Sequence, residues 1–152
     1  MNPQIDQYKA FVKQKGNYDC GVACLLSIIR FHQGDCSYEA LLKRCGTSQH
    51  GTSIQGIKQA ANQGGLEAEA FLIEELRDFK KEVNFPCILL VVNKQSLNHY
   101  IVCCESKNEK FYKIFDPANG FEFWNEEHLL SVWKSKVVVL FSPNLNFKKV
   151  RY

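Results

Sequence analysis

The chain has 152 residues, of which 45% are hydrophobic and 23% charged, and its net charge is +3. This is the composition of one ordinary globular domain with a proper core. The mild charge, without a dense Lys/Arg cluster, argues against nucleic-acid binding, and the longest apolar runs, Cys87–Val92 and Val137–Phe141, are too short to cross a bilayer.

The N-terminal half is predicted to begin with two helices. Cys20–Phe31 repeats its apolar residues at i, i+3, i+4 and i+7, which is the period of a helix packed on a core. Ser37 is placed to cap a second helix over Tyr38–Cys45, and Gly46 follows its end.

A third helix is predicted after these two. Thr52 and Gln55 have the spacing of a capping box, and the helix that they open should stop at the Gly64-Gly65 pair. A strand around Glu67–Phe71 and a short helix at about Ile73–Phe79 are expected next.

The C-terminal half changes to the patterns of strands. A turn at Ser106–Glu109 joins two of them into a hairpin. The predicted elements are strands at Cys87–Val92, His99–Cys104, Lys110–Phe115, Phe121–Trp124 and Lys136–Phe141, with a short helix at Glu126–Trp133. Helices first and an antiparallel sheet second indicate an α+β domain.

The chain contains seven cysteines, an odd number, and its first ten residues lack the apolar stretch of a signal peptide. A disulfide framework is therefore not expected, and a reducing cytosolic setting fits better. Most of the cysteines should be buried as small hydrophobic side chains.

One of these cysteines has a position suited to chemistry. Cys20 opens the first helix, where unpaired backbone N–H groups and the helix dipole favour a thiolate, and Gln14 lies six positions before it. His99 starts a strand and Asp116 closes the next one, so a hairpin would bring the two to the same sheet edge. The order Gln, Cys, His, Asp is typical of a papain-like thiol hydrolase.

Other interpretations of these residues are open. A lone strand histidine is more often structural than catalytic, and an Asp-Pro pair is usually only a turn. His32, Cys36, Cys45 and His50 also provide four potential zinc ligands within nineteen residues, although no Cys-x-x-Cys knuckle is present.

Taken together, the motifs resemble those of a known family. The chain is similar to the bacteriocin-processing cysteine peptidases, the double-glycine leader peptidases that form the N-terminal domain of certain bacterial ABC exporters. The resemblance spans roughly residues 9–143. It rests on Gln14 with Asp19-Cys20-Gly21, Gly51-Thr52-Ser53, His99-Tyr100 before an apolar strand, Asp116-Pro117 and Phe141-Ser142-Pro143.

The resemblance implies a papain-like fold and a role for each site residue. Cys20 would be the nucleophile, His99 its general base and Asp116 the group that orients the imidazole. Gln14 would supply an N–H to the oxyanion hole beside the backbone N–H of Cys20. No metal or cofactor is implied for this domain.

The resemblance also implies partners. The substrate would be a peptide precursor whose helical leader ends in Gly-Gly or Gly-Ala. Residues 1–143 would form the peptidase domain, and the basic segment 144–152 a tail or a linker to the transmembrane and ATP-binding parts of an exporter. We expect an excised exporter domain at the cytoplasmic face of the bacterial inner membrane rather than a free-standing cytoplasmic peptidase.

Two alternatives from other functional classes are open at this point. One is an exporter module that docks leaders without cutting them, although Cys20 and His99 are both intact. The other is a thiol hydrolase that acts on a different amide or acyl group.

Overall fold

Five helices and six strands form the part of the chain described by the computed structural model, residues 6–107 and 110–149. The helices are α1 Cys20–Phe31, α2 Tyr38–Cys45, α3 Ile54–Gln63, α4 Leu76–Glu82 and α5 Glu126–Val132. The strands are β1 Leu66–Leu72, β2 Cys87–Val92, β3 Asn98–Lys107, β4 Phe111–Asp116, β5 Gly120–Asn125 and β6 Val137–Pro143.

The six strands form one antiparallel sheet in the order β1-β6-β2-β3-β4-β5. The last strand in sequence, β6, lies between β1 and β2, so it pairs directly with two strands from the middle of the chain. The α+β prediction, with helices packed on an antiparallel sheet, is confirmed.

Each face of the sheet carries its own hydrophobic core. The helices α1, α2 and α3 pack on one face, where the side chains of β3 contribute Tyr100, Val102 and Cys104. The alternate β3 residues Ile101 and Cys103 point to the other face, which α4 and α5 cover. Because β3 is buried on both faces, it is held rigidly, and it can place a side chain at its end with precision.

Three predicted elements have the predicted bounds: α1, α2 and β2. Ser37 caps α2, as its hydroxyl accepts a hydrogen bond from the Ala40 N–H at 3.3 Å. Gly46 ends α2 with a left-handed backbone at φ 65°, a conformation that glycine adopts without steric cost.

The capping box predicted at Thr52 is wrong. The hydroxyl of Thr52 is engaged with the hydroxyl of Thr47 at 2.7 Å, and Ser53 caps α3 instead by accepting from the Gly56 N–H at 3.0 Å. The cap is therefore one residue later than predicted, because Thr52 is held by a residue outside the helix.

The helix expected at Ile73–Phe79 begins three residues later, at Leu76. The backbone N–H of Ile73 donates to the Lys136 carbonyl at 2.9 Å, which continues the pairing of β1 with β6 beyond its last strand residue. This pairing keeps Ile73 extended, so the helix cannot start there.

Some predictions fall partly outside the described residues. Residues 108 and 109 of the turn predicted at Ser106–Glu109 lie outside them, as do residues 1–5 and 150–152 of the predicted domain and tail. Within the described part of the tail, the Asn144 N–H donates to the Gly65 carbonyl at 2.9 Å and Phe147 packs against the core under α1. The domain boundary after residue 143 stays a prediction.

Candidate active site

The nucleophile candidate, Cys20, is the first residue of α1. It is partly exposed, as is Cys36, whereas the other five cysteines are buried. The N–H groups of the first helical turn have no acceptor within the helix, so the backbone N–H of Cys20 is free to bind an anion beside its own sulfur.

Gly21 lets the start of α1 approach the sheet closely. A Cβ at this position would lie 3.1 Å from Thr52 Cβ and 3.1 Å from a ring carbon of Tyr100. The Tyr100 hydroxyl in turn donates to the Thr52 carbonyl at 2.8 Å. Because Tyr100 follows His99 in β3, this close packing fixes the distance between the helix that carries Cys20 and the strand that carries His99.

The structure brings Cys20, His99 and Asp116 together. The Nε2 atom of His99 lies 2.7 Å from Oδ1 of Asp116, and both side chains are nearly buried. The Cys20 side chain is near enough to the imidazole to help raise the pKa of His99. Since Nε2 is engaged with the carboxylate, Nδ1 is the ring nitrogen that remains for the sulfur.

The charge of His99 is strongly influenced by these two contacts. Burial by itself lowers the pKa of His99, but the hydrogen bond with Asp116 and the interaction with the Cys20 side chain outweigh it and raise the pKa to about 9. The imidazolium form is therefore the stable one at neutral pH, which is the form that can protonate a leaving amine.

Asp116 is held in place by two further donors. Its Oδ1 accepts from the Ala118 N–H at 2.9 Å, and its Oδ2 accepts from the Asn119 side-chain amide at 3.0 Å. Burial raises the pKa of Asp116, but the hydrogen bonds from His99 and Ala118 outweigh it, so the pKa is lowered from its usual value. Asn119 gave no recognisable signal in the sequence beyond its place in the turn after Asp116-Pro117.

Gln14 borders the same cleft as the other three residues. Its side-chain Nε2 donates to the Gly16 carbonyl at 2.7 Å, and its backbone N–H donates to the Pro117 carbonyl at 2.9 Å. The second bond joins the segment before α1 to the turn after Asp116. Gln14 is thus fixed at both its backbone and its side chain.

The cleft has a volume of roughly 850 Å³ and runs past Cys20, His99 and Asp116. Its walls come from the segment before α1, the 49–51 loop, the loop between β2 and β3, and the β5–α5 region. Apolar side chains in the wall include Leu97, Trp124 and Val132. A volume of this size is in the range of clefts that bind ligands.

The zinc alternative is not supported. Within residues 6–107 and 110–149, no three His, Cys, Asp or Glu side chains are grouped so that they could hold a metal ion. His32 packs against the rings of Phe31 and Phe147, and His50 borders the cleft. Over the same described ranges, no helix combines the length and apolar character that a membrane span requires.

Comparison with known proteins gives matches over most of the chain. The model of the Peptidase C39 family matches residues 8–146. The chain is 31% identical over 112 residues to LagD, the lactococcin-G-processing and transport ATP-binding protein of Lactococcus lactis subsp. lactis. That match covers 74% of this chain and 16% of LagD, so the chain spans a small part of this relative's length.

Two solved structures have similar folds. A double glycine motif protease from an AMS/PCAT transporter, in complex with the leader peptide, has a TM-score of 0.79 and 27% identity, covering 88% of this chain and 90% of that one. The peptidase domain of Streptococcus ComA, a bi-functional ABC transporter, has a TM-score of 0.79 and 26% identity, covering 88% and 97%.

Proposed function

The chain belongs to the Peptidase C39 family of cysteine peptidases, and on that premise we propose that it cleaves small peptide precursors after a Gly-Gly or Gly-Ala pair at the end of their leader. The observation that supports this most is that Cys20, His99 and Asp116 line one cleft, where Nε2 of His99 lies 2.7 Å from Oδ1 of Asp116 and the Cys20 side chain is near enough to raise the pKa of His99.

In the first step, the Cys20 sulfur attacks the carbonyl carbon of the second residue of the small pair. The backbone N–H of Cys20 and the side-chain N–H of Gln14 bind the oxyanion that forms. The His99 imidazolium gives its proton to the departing amine as the C–N bond breaks, which leaves a thioester on Cys20 and a neutral imidazole.

In the second step, water hydrolyses the thioester. Neutral His99 takes a proton from the water as its oxygen attacks the thioester carbonyl, and the leader leaves with a new carboxylate while Cys20 is regenerated. Asp116 keeps Nε2 of the ring engaged throughout, so that Nδ1 faces the reacting atoms. No metal or cofactor enters either step, so a chelator such as EDTA should leave turnover unchanged.

The exporter context is part of the same proposal. LagD is a processing and transport protein, and ComA is an ABC transporter with a peptidase domain. We assign the same setting to this chain: a peptidase domain on the cytoplasmic side of a bacterial membrane, working beside the transmembrane and ATP-binding parts of an exporter.

The test is mass spectrometry of two synthetic precursors that differ only in the last two leader residues, Gly-Gly in one and Lys-Lys in the other. The wild-type protein should cut only the first, directly after the pair. Cys20→Ala should cut neither, whereas Cys36→Ala, which changes the other partly exposed cysteine, should behave as wild type.

Two results would contradict the proposal. Equal cleavage of both precursors would indicate a thiol hydrolase without the small-residue requirement. No cleavage of the Gly-Gly precursor, with its leader still bound, would indicate a docking module.

A further inference from the structure

The carboxylate of Asp19 does not do what its position in the chain suggests. Asp19 is the N-cap residue of α1, yet its side chain makes no capping hydrogen bond to the helix. It points back to the preceding loop, where Oδ2 accepts from the Lys15 N–H at 2.7 Å and Oδ1 from the Gly16 N–H at 2.9 Å. The Asp19 carboxylate therefore binds the loop before α1 instead of capping the first turn of the helix.

Tyr38 completes the contacts of this carboxylate from a different element. Its hydroxyl donates to Oδ2 of Asp19 from the first turn of α2. Burial and the bond with Asp19 raise the pKa of Tyr38, so the hydroxyl keeps its proton and is the donor. The Lys15 ammonium lies 4.5 Å from the centre of the Tyr38 ring, a second contact between this loop and Tyr38.

The loop that Asp19 binds contains the hydrogen-bond acceptor of the Gln14 side chain. The Gly16 carbonyl accepts the Gln14 Nε2 at 2.7 Å. Only an N–H can face a carbonyl oxygen, so this contact decides which way the Gln14 amide is turned. The Nε2 group has a second N–H, and Gln14 borders the cleft beside Cys20. The orientation of that second N–H therefore depends on where Gly16 is held.

We propose that Asp19 and Tyr38 are positioning residues that hold the 15–16 loop so that Gln14 aims its free N–H at the oxyanion. Neither residue is among the described residues that line the cleft. This inference rests on the proposed function, since it assigns a task within the same reaction.

The test variant is Tyr38→Phe, which removes one hydroxyl and keeps the ring. The kcat for the Gly-Gly precursor should fall roughly 10- to 100-fold, as expected for a misplaced catalytic group, while KM is unchanged. The matched control is Tyr112→Phe, because the Tyr112 hydroxyl is buried without a hydrogen-bond partner in the described structure. The control should keep the wild-type kcat.

A double variant separates positioning from a general structural effect. In a Gln14→Ala background the group that Tyr38 positions is gone, so adding Tyr38→Phe should lower kcat by less than about twofold. An equal loss in both backgrounds, or a wild-type kcat for Tyr38→Phe alone, overturns the inference and leaves the proposed function intact.

A second readout does not depend on cleavage. The side-chain amide signals of Gln14 in a ¹H–¹⁵N spectrum are identified by their absence in Gln14→Ala. Tyr38→Phe should shift them and Tyr112→Phe should not, and Asp19→Asn gives the same comparison where Tyr38→Phe is unfolded. If the wild type cuts no precursor, the proposed function fails, and unmoved Gln14 signals would overturn the positioning inference separately.

Discussion

At the scale of single residues, the main feature of the site is that its neighbours determine the protonation state of the His99 imidazole. His99 is nearly buried, which disfavours its charge, and yet its interactions with Asp116 and Cys20 raise its pKa to about 9. The carboxylate that contributes most to this is itself fixed by Ala118 and Asn119. A proton is therefore kept on His99 until the substrate's leaving group takes it.

This control predicts the pH dependence of turnover. A raised pKa means that the imidazolium persists as pH rises from neutrality and is lost only as pH passes about 9. The alkaline limb of kcat/KM for the Gly-Gly precursor should thus lie near pH 9. A limb near the usual histidine value of about 6.5 would show that the contacts do not hold the proton.

Asp116→Asn tests the origin of that limb. The amide keeps the shape of the side chain but removes the negative charge that favours imidazolium, so the alkaline limb should move toward lower pH and kcat should fall. Asp35→Asn is the matched control, because Asp35 is exposed and pairs with Arg30 instead of a histidine. An unmoved limb in Asp116→Asn would contradict the assigned cause.

Gln14→Ala tests the oxyanion contact. Loss of one donor typically lowers kcat by about 10²–10³, and binding of the leader should not change because the oxyanion that this amide is proposed to bind forms only during the reaction. Gln63→Ala, at the exposed last residue of α3, removes the same group elsewhere and should have no effect. Full turnover by Gln14→Ala would remove this residue from the site.

At the scale of elements, the packing of α1 against β3 sets the distance between Cys20 and His99. Gly21 packs against Thr52 and Tyr100, so the helix that starts at Cys20 lies close to the strand that starts beside His99. A methyl group in this contact would require Thr52 and Tyr100 to move by a few tenths of an ångström. Overpacking of this kind costs about 1–3 kcal/mol.

Gly21→Ala should therefore lower the free energy of unfolding by about 1–3 kcal/mol and reduce turnover, as measured by urea denaturation and by precursor cleavage. Gly64→Ala is the control, since a Cβ there would meet nothing closer than 3.6 Å and its backbone is not left-handed. Equal stability of the two variants would show that the contact at Gly21 is not tight.

Elements whose signals are local were predictable from the sequence, and those that depend on distant partners were less so. The bounds of α1, α2 and β2 follow from apolar periodicity and from Ser37 and Gly46. The cap of α3 and the start of α4 were missed because Thr47 holds Thr52 and Lys136 holds Ile73. Neither partner can be identified from the residues next to it.

The same distinction applies to the site. Cys20, His99 and Asp116 were selected by their places at element ends, and the structure places all three in one cleft. Their catalytic roles stay predictions. The hydrogen bond between Asp19 and Tyr38 joins residues 19 positions apart, the N-cap residue of α1 and the first residue of α2, and no local pattern predicts it.

At the scale of the whole molecule, the sheet carries His99 and Asp116, and the helix α1, which packs on it, carries Cys20. Its papain-like architecture, predicted from the resemblance, is confirmed by the match to two peptidase structures. The place of β6 between β1 and β2 had no sequence signal, because strand partners are decided by packing over the whole chain. Covered on both faces, the sheet holds His99 and Asp116 against a helix that begins about 80 residues earlier.

In the proposed reaction, a leader that ends in Gly-Gly places its last carbonyl at Cys20. The most direct measurement is covalent labelling with a leader peptide whose terminal Gly-Gly carries a chloromethyl ketone, followed by tryptic mapping with fragment spectra that separate Cys20 from Cys24. We predict one label per chain, on Cys20, and no comparable labelling by a Lys-Lys ketone. Label on Cys36 or another cysteine, or equal labelling by both peptides, would contradict the account.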